Sequence, residues 1–337
     1  MNPTLKSCPC IARYAHNPVL SKENVPYDSD LVFNAGVIRW QGKYVMVFRN
    51  DYHHISGGRF GGTNIGIAFS QDGINWEVAP EPCFNLRDPQ TAALFDAPEG
   101  EIVRCYDPRL TVIENEIYMS FAVDTRHGLQ GGIAKTKDFS SFEVLSLSVP
   151  DNRNMVLFPE KINGMYMRLE RPMPVYSRGT DRFDMWLSES PDLVYWGRPS
   201  LVAAVEDFPF ADQKVGPGAP PVKTPWGWLV FTHCVDYDSS RGKNGWEDTW
   251  KKRYCAGMLL LDLENPRKVL GVYKEPLIAP ETAYEADEGF RTNVIFPTGA
   301  IPEDDGTVKI YYGAADTVIA LATAQISDLV KLCLENH

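Results

Sequence analysis

Nine polar side chains stand at the ends of short β-type segments, and if those ends meet they join two chemistries. Asp107, Asp124 and Asp316 supply carboxylates, while Arg153, Arg171, Lys214 and His233 form a cationic set with Asn34 and Arg49 beside them. Carboxylates in a polar, aromatic-rimmed funnel suit glycoside cleavage, which uses a general acid and a second carboxylate as base or nucleophile. Cations of fixed donor geometry suit phosphate, with Arg binding bidentately and Lys acting as a point charge. Together they point to phosphate as the attacking group in place of water. Phosphate is already a nucleophile at neutral pH, so one acid for the leaving group is enough.

The elements that must position these residues repeat five times. Each repeat has a strand rich in aromatic and β-branched residues with a charged residue just past its end: YVMVF at 44–48, IYMSF at 117–121, MYMRL at 165–169, WLVFT at 228–232 and VKIYY at 308–312. Arg49, Asp124, Arg171, His233 and Asp316 follow these strands, and Gly42, Asn115, Gly164, Gly227 and Gly306 mark the turns before them. A third strand follows each charged residue and ends in a turn, usually Ser/Asp-containing, before a fourth. Such a repeat predicts an all-β, five-bladed β-propeller forming one domain over 1–337. A two-sheet sandwich has similar strand content but does not require five equivalent units. The first strands are expected near Asn34, Asp107, Phe158, Gly216 and Phe296. A first strand and its antiparallel neighbour start and end at one mouth of the channel. Helix is expected at Ser327 to Glu335 and in the acidic stretch near Pro280 to Asp287.

Composition narrows the function. The chain has 337 residues, 44% hydrophobic and 12% aromatic, and its net charge of −11 argues against a nucleic-acid partner. The opening MNPTLKSCPCIARYAHNPVL lacks the apolar core of a secretory leader, and no apolar run reaches membrane-span length. The seven cysteines show neither a Cys-x-x-Cys motif nor zinc-ligand spacing. A reduced, cytoplasmic protein without metal is the expectation.

The chain resembles glycoside hydrolase family 130, the inverting β-mannoside phosphorylases. The matches are FNAGV at 33–37, VFRND at 47–51, Tyr106-Asp107-Pro108-Arg109, Arg153, Glu170-Arg171-Pro172, KVGPG at 214–218, Thr232-His233 and YYGAAD at 311–316. The resemblance implies that Asp107 is the proton donor, acting on the glycosidic oxygen through the mannosyl 3-hydroxyl. Phosphate then attacks the anomeric carbon from the opposite face and α-mannose 1-phosphate results. It further implies that Arg153, Arg171, Lys214 and His233, with Tyr254 near them, hold phosphate, and that Asn34, Arg49 and Asp316 surround the mannosyl unit. Family members that hydrolyse have lost much of the cationic set, which is complete here. The implied substrates are a β-1,4-linked mannooligosaccharide and inorganic phosphate, with no organic cofactor. A homo-oligomer is expected from the resemblance and the aromatic insertions.

Other readings remain open at this level. The acceptor could be glucose or N-acetylglucosamine, the reaction could be hydrolysis, or the propeller could bind sugar without catalysis. Asp124 is expected to be structural or to support from behind the residues that touch substrate. The segment from Ile55 to Asn64 lacks the Gly-Lys-Ser/Thr ending of a phosphate loop and is expected to be a mobile loop on the acceptor rim. His53 and His54 lack a third metal ligand. The insertion from Asp236 to Lys252, with Trp246 and Trp250, offers stacking surfaces for sugars or a subunit contact.

Overall fold

The computed structural model describes residues 5–98, 100–241, 246 and 250–335. Five antiparallel sheets form the blades of a β-propeller. Blade 1 runs Leu31–Trp40, Lys43–Ser56, Arg59–Ser70 and Glu77–Val78, and blade 2 runs Ile102–Ile113, Glu116–Thr125, Gly128–Thr136 and Phe142–Leu147. Blade 3 comprises Asn152–Leu157, Tyr166–Pro172, Met185–Ser190 and Gly197–Ala203. In blade 4 the innermost strand is split into Lys214–Pro217 and Val222–Thr224, followed by Gly227–Tyr237, Lys252–Leu261 and Val269–Val272.

Blade 5 has Ile295–Pro302, Thr307–Ala314 and Val318–Gln325, and its outer strand is Ala12–Arg13 from the start of the chain. The expected C-terminal helix, Ile326–Glu335, takes the place of a fourth consecutive strand. Closure is fastened by Arg13. Its guanidinium donates to buried Glu285 at 2.8 and 3.0 Å and to the Ala279 carbonyl at 2.7 Å. A second short helix, Ala283–Ala286, lies within the acidic stretch expected to be helical.

The repeated turns work as their residue types require. Gly42, Asn115, Gly164, Gly227 and Gly306 all have positive φ, the region open to Gly and tolerated by Asn. Aromatic and aliphatic residues of the second strands fill the spaces between blades: Phe48, Met119, Leu169, Phe231 and Ile310 are essentially inaccessible. Each such side chain contributes roughly 1.5–3 kcal/mol on burial. The inner strands approach closely around the axis, and a Cβ at Gly36 would lie 2.7 Å from the Leu110 nitrogen and 2.8 Å from the Arg109 Cα.

Two expectations need correction. The inner strand of blade 3 begins at Asn152 rather than near Phe158, because Arg153 pairs with Arg171 across the ladder. The Ile55–Asn64 segment is largely a continued hairpin, with His54 opposite Phe60 and Ser56 opposite Arg59. Of the insertion from Asp236 to Lys252, residues 242–245 and 247–249 lie outside the described residues. Trp246 donates its backbone N–H to the Phe290 carbonyl, and Trp250 stacks on Tyr254 with ring centroids 5.8 Å apart.

Candidate active site

The inner strands of blades 1, 2 and 3 share one local device. Each skips a register step, at Phe33/Gly36, Tyr106/Arg109 and Arg153/Val156. The first residue of each bulge is Asn34, Asp107 or Asn154, with φ of 52, 53 and 59°. A bulge re-aims a side chain, and Asn and Asp are the non-glycine residues that best tolerate this left-handed backbone. Three equivalent positions thereby turn an amide, a carboxylate and a second amide toward one cavity of about 290 Å³. Asp316, at φ 48°, joins them from blade 5.

Asp107 has one oxygen held and one free. Its Oδ1 accepts from Asn34 Nδ2 at 3.0 Å and Arg49 Nη1 at 3.3 Å, while Oδ2 has no hydrogen-bond partner among the described residues. Arg49 is anchored on Asp51, which also accepts from Thr63. Burial alone would raise the Asp107 carboxyl, but the Arg49, Arg109 and Arg153 guanidiniums and the Asn34 amide outweigh it and hold it below its ordinary value. Burial wins at Asp316, which stays above the usual value although Arg291 and Arg49 oppose it.

A cationic wall faces this carboxyl. Arg171 is 1% exposed and donates from Nη1 to His233 Nε2 at 2.8 Å, yet its Nε and Nη2 are buried without a partner among the described residues. Arg153 donates from Nη1 to the Tyr106 hydroxyl at 3.2 Å, and its Nε is likewise buried and unpartnered. Burial, then the charge of Arg153, pushes Arg171 down to about 9. Three buried charged donors beside each other, in a chain of net charge −11, are the equipment for an anion.

Of the residues singled out in the sequence, Asn34, Arg49, Asp107, Arg153, Arg171, Tyr254 and Asp316 line this cavity. His233 and Lys214 stand behind it. His233 is wholly buried, stacked on Phe296 at 4.5 Å, and accepts from Arg171; its Nδ1 therefore carries the proton toward the Pro217 carbonyl at 3.2 Å. Burial and three neighbouring arginines keep its value well below that of a free imidazole, so it is neutral. Lys214 Nζ lies 3.3 Å from Asp181 Oδ1 and 5.3 Å from the centre of the Phe183 ring. Burial, then Arg171 and Lys252, pushes Lys214 down to about 6.

The sequence reading did not include Asn154, Phe290 or Arg291, which also line the cavity, whereas Trp250, named there as a stacking surface, and Phe60, inside the segment expected on the acceptor rim, both line it. Asn154 was within reach: it follows Arg153 as Asn34 follows Phe33 and Asp107 follows Tyr106. Phe60 sits on the lengthened hairpin of blade 1 and Trp250, Phe290 and Arg291 lie outside the strands, in segments that do not repeat from blade to blade. Among the described residues no group of three or more His, Cys, Asp or Glu is arranged to hold a metal ion. His53 instead faces Asp28, and His54 packs on Phe60 and Trp246. Among the described residues no helix is long and apolar enough to cross a membrane.

Comparison with known proteins identifies the family. Residues 9–335 match the family model of glycoside hydrolase family 130, described as beta-1,4-mannooligosaccharide phosphorylase. The chain is 32% identical to the beta-1,4-mannooligosaccharide phosphorylase of Ruminococcus albus, covering 95% of this chain and 90% of that one. It is 30% identical to the 1,2-beta-oligomannan phosphorylase of a Thermoanaerobacter species, covering 95% and 98%. The solved β-1,2-mannobiose phosphorylase of Listeria innocua, in complex with β-1,2-mannobiose, superposes with a TM-score of 0.79 at 26% identity over 96% of this chain and 99% of that one. The chain belongs to glycoside hydrolase family 130, a family of mannoside phosphorylases.

Proposed function

We propose that the protein catalyses inverting phosphorolysis of β-1,4-linked mannooligosaccharides, releasing α-mannose 1-phosphate. The observation that carries this reading is the pair of guanidiniums, buried Arg171 and partly buried Arg153, with buried N–H groups that have no partner among the described residues, in the cavity that Asp107 lines. Phosphate on these donors acts as nucleophile at the anomeric carbon. The bond from that carbon to the glycosidic oxygen breaks, and the oxygen takes the Asp107 proton through the mannosyl 3-hydroxyl. Asn34, Arg49 and Asp316 hold the mannosyl unit, Tyr254 borders the anion, and His233 and Lys214 support the arginines from behind. The enzyme works as a cytoplasmic homo-oligomer without organic cofactor; its seven free cysteines accord with a reducing compartment.

The low value of Asp107 in the free protein fits such a cycle. Arg153 is one of the charges that depress it. A phosphate dianion beside Arg153 cancels that pull and adds a like charge, and both effects raise the carboxyl toward the protonated form an acid needs. The nucleophile thus helps to arm the acid.

A second reading changes only the linkage. The 30% identity to an oligomannan phosphorylase named for 1,2-linkages and the Listeria structure favour β-1,2-mannosides nearly as well. Incubation with β-1,4- and β-1,2-mannobiose, each with and without phosphate, tests both. The expected result is mannose 1-phosphate from the β-1,4 substrate only when phosphate is present. Release of free mannose at equal rate without phosphate would overturn phosphorolysis, and preference for the other dimer would move the linkage.

A further inference from the structure

Asp124 ends the second strand of blade 2 and takes no part in the mechanism above. Its carboxylate is nonetheless fully committed. Oδ2 accepts from Arg104 Nε at 3.0 Å and Nη2 at 2.7 Å, and Oδ1 accepts from the Tyr106 hydroxyl at 2.8 Å. A tyrosine hydroxyl has one proton to give. Once that proton points at Asp124, a lone pair is left for Arg153 Nη1 at 3.2 Å. Burial raises the Tyr106 phenol above its ordinary value, so the proton stays on the hydroxyl.

The ring cannot easily turn away from this arrangement. Two guanidiniums lie over it, Arg49 at 4.6 Å and Arg104 at 4.4 Å from its centroid. Among the described residues, the Tyr106 hydroxyl is also the one hydrogen-bond partner of the Arg153 side chain. A single bond from blade 2 thus fixes the direction of a cation rooted in blade 3. It leaves Arg153 Nε buried and unpartnered beside the cavity.

We propose that Asp124 and the Tyr106 hydroxyl form a directed relay that aims Arg153 at the inorganic phosphate, making both positioning residues for the anion. The relay rests on the phosphorolytic reading and goes beyond it, because it gives a role to a residue outside the anion's own contacts. It also separates two duties of Tyr106. The ring braces Arg49, which holds Asp107, whereas the hydroxyl serves Arg153.

Titration calorimetry with inorganic phosphate alone, combined with steady-state kinetics, tests this. Tyr106→Phe keeps the ring and removes the relay; Asp124→Asn removes the charge that orients the hydroxyl. Each is expected to weaken phosphate binding about tenfold, the effect of one hydrogen bond to a charged group. KM for the mannoside should stay within about twofold. The double variant should be no weaker than the weaker single, since both changes break one chain. Tyr106→Phe reports on the relay even if Asp124→Asn fails to fold. Wild-type phosphate affinity in Tyr106→Phe, additive losses in the double variant, or a change confined to the mannoside KM would overturn the relay while leaving phosphorolysis standing. A wild-type protein that binds no phosphate would sink both.

Discussion

Arg153 and Arg171 are direct register partners on the two inner strands of blade 3, and neither guanidinium is paired with a carboxylate among the described residues. Two like charges across one ladder, with Arg171 fully buried and Arg153 partly so, destabilise the free fold. An anion between them relieves that repulsion. Inorganic phosphate at about 100 times its dissociation constant adds about 2.7 kcal/mol to stability, a rise of roughly 4 °C in Tm for a chain of this size. Thermal melts with and without phosphate should show this rise, and Arg171→Gln should lose it while melting no lower than wild type in phosphate-free buffer.

Asp107→Asn keeps the shape and the Asn34 contact geometry but removes the transferable proton. Turnover of an oligosaccharide should fall about 10²–10⁴-fold, the usual contribution of a general acid. Phosphate should bind at least as tightly, since a negative charge near it is gone. An aryl mannoside, whose leaving group needs no proton, should recover most of the loss. A variant slowed equally on both substrates would remove Asp107 from the acid role.

Lys214 supplies a pH signature. Its value is about 6 in the fold against an ordinary 10.5. Between those limits the unfolded chain binds more protons than the folded one, so stability rises with pH across the window. Lys214→Met removes this penalty. In phosphate-free buffer the variant should melt above wild type near pH 6, and the difference should shrink as pH climbs toward 10. Melts across a pH series would show whether the difference narrows in that direction; a gap that widens would contradict the buried, neutral lysine.

Ring closure offers a stability test far from the cavity. Glu285 is fully buried and accepts from Arg13 Nε and Nη2, the Glu281 and Thr282 backbone N–H groups and the Tyr312 hydroxyl. Arg13→Met strands that carboxylate and should cost about 3–5 kcal/mol. Adding Glu285→Gln should recover part of it. Chemical denaturation of the single and double variants measures both steps.

The five blades were legible because their second strands must fill the spaces between sheets, which forces long aromatic and β-branched runs such as YVMVF and WLVFT. The inner strands read less well. Blade 3 was displaced because the apolar stretch at Leu157–Phe158 outweighs the polar NRN that begins the strand, and polarity there reflects the cavity rather than a loop. The outer strand Ala12–Arg13 has only two residues and pairs with a segment near the other end of the chain, so local pattern cannot reveal it. The cavity's floor was legible where it follows the repeat, as at Asn34, Asp107 and Asp316. His233 and Lys214 were found by position, but a sequence does not say whether a side chain points into a cavity or braces one that does. Phe60, Phe290 and Trp250 lie on insertions unique to their blades.

The two-residue closing strand also sets a timetable. Asn34 belongs to the first blade and Asp316 to the last, yet both line one cavity, and a Cβ on Gly313 would collide with the Asn34 side chain. A ribosome adding roughly 5–20 residues per second therefore exposes blade 1 for tens of seconds before its neighbour across the seam exists. No half-made chain can have the assembled cavity, so a nascent chain cannot act on sugar or phosphate before the circle is sealed.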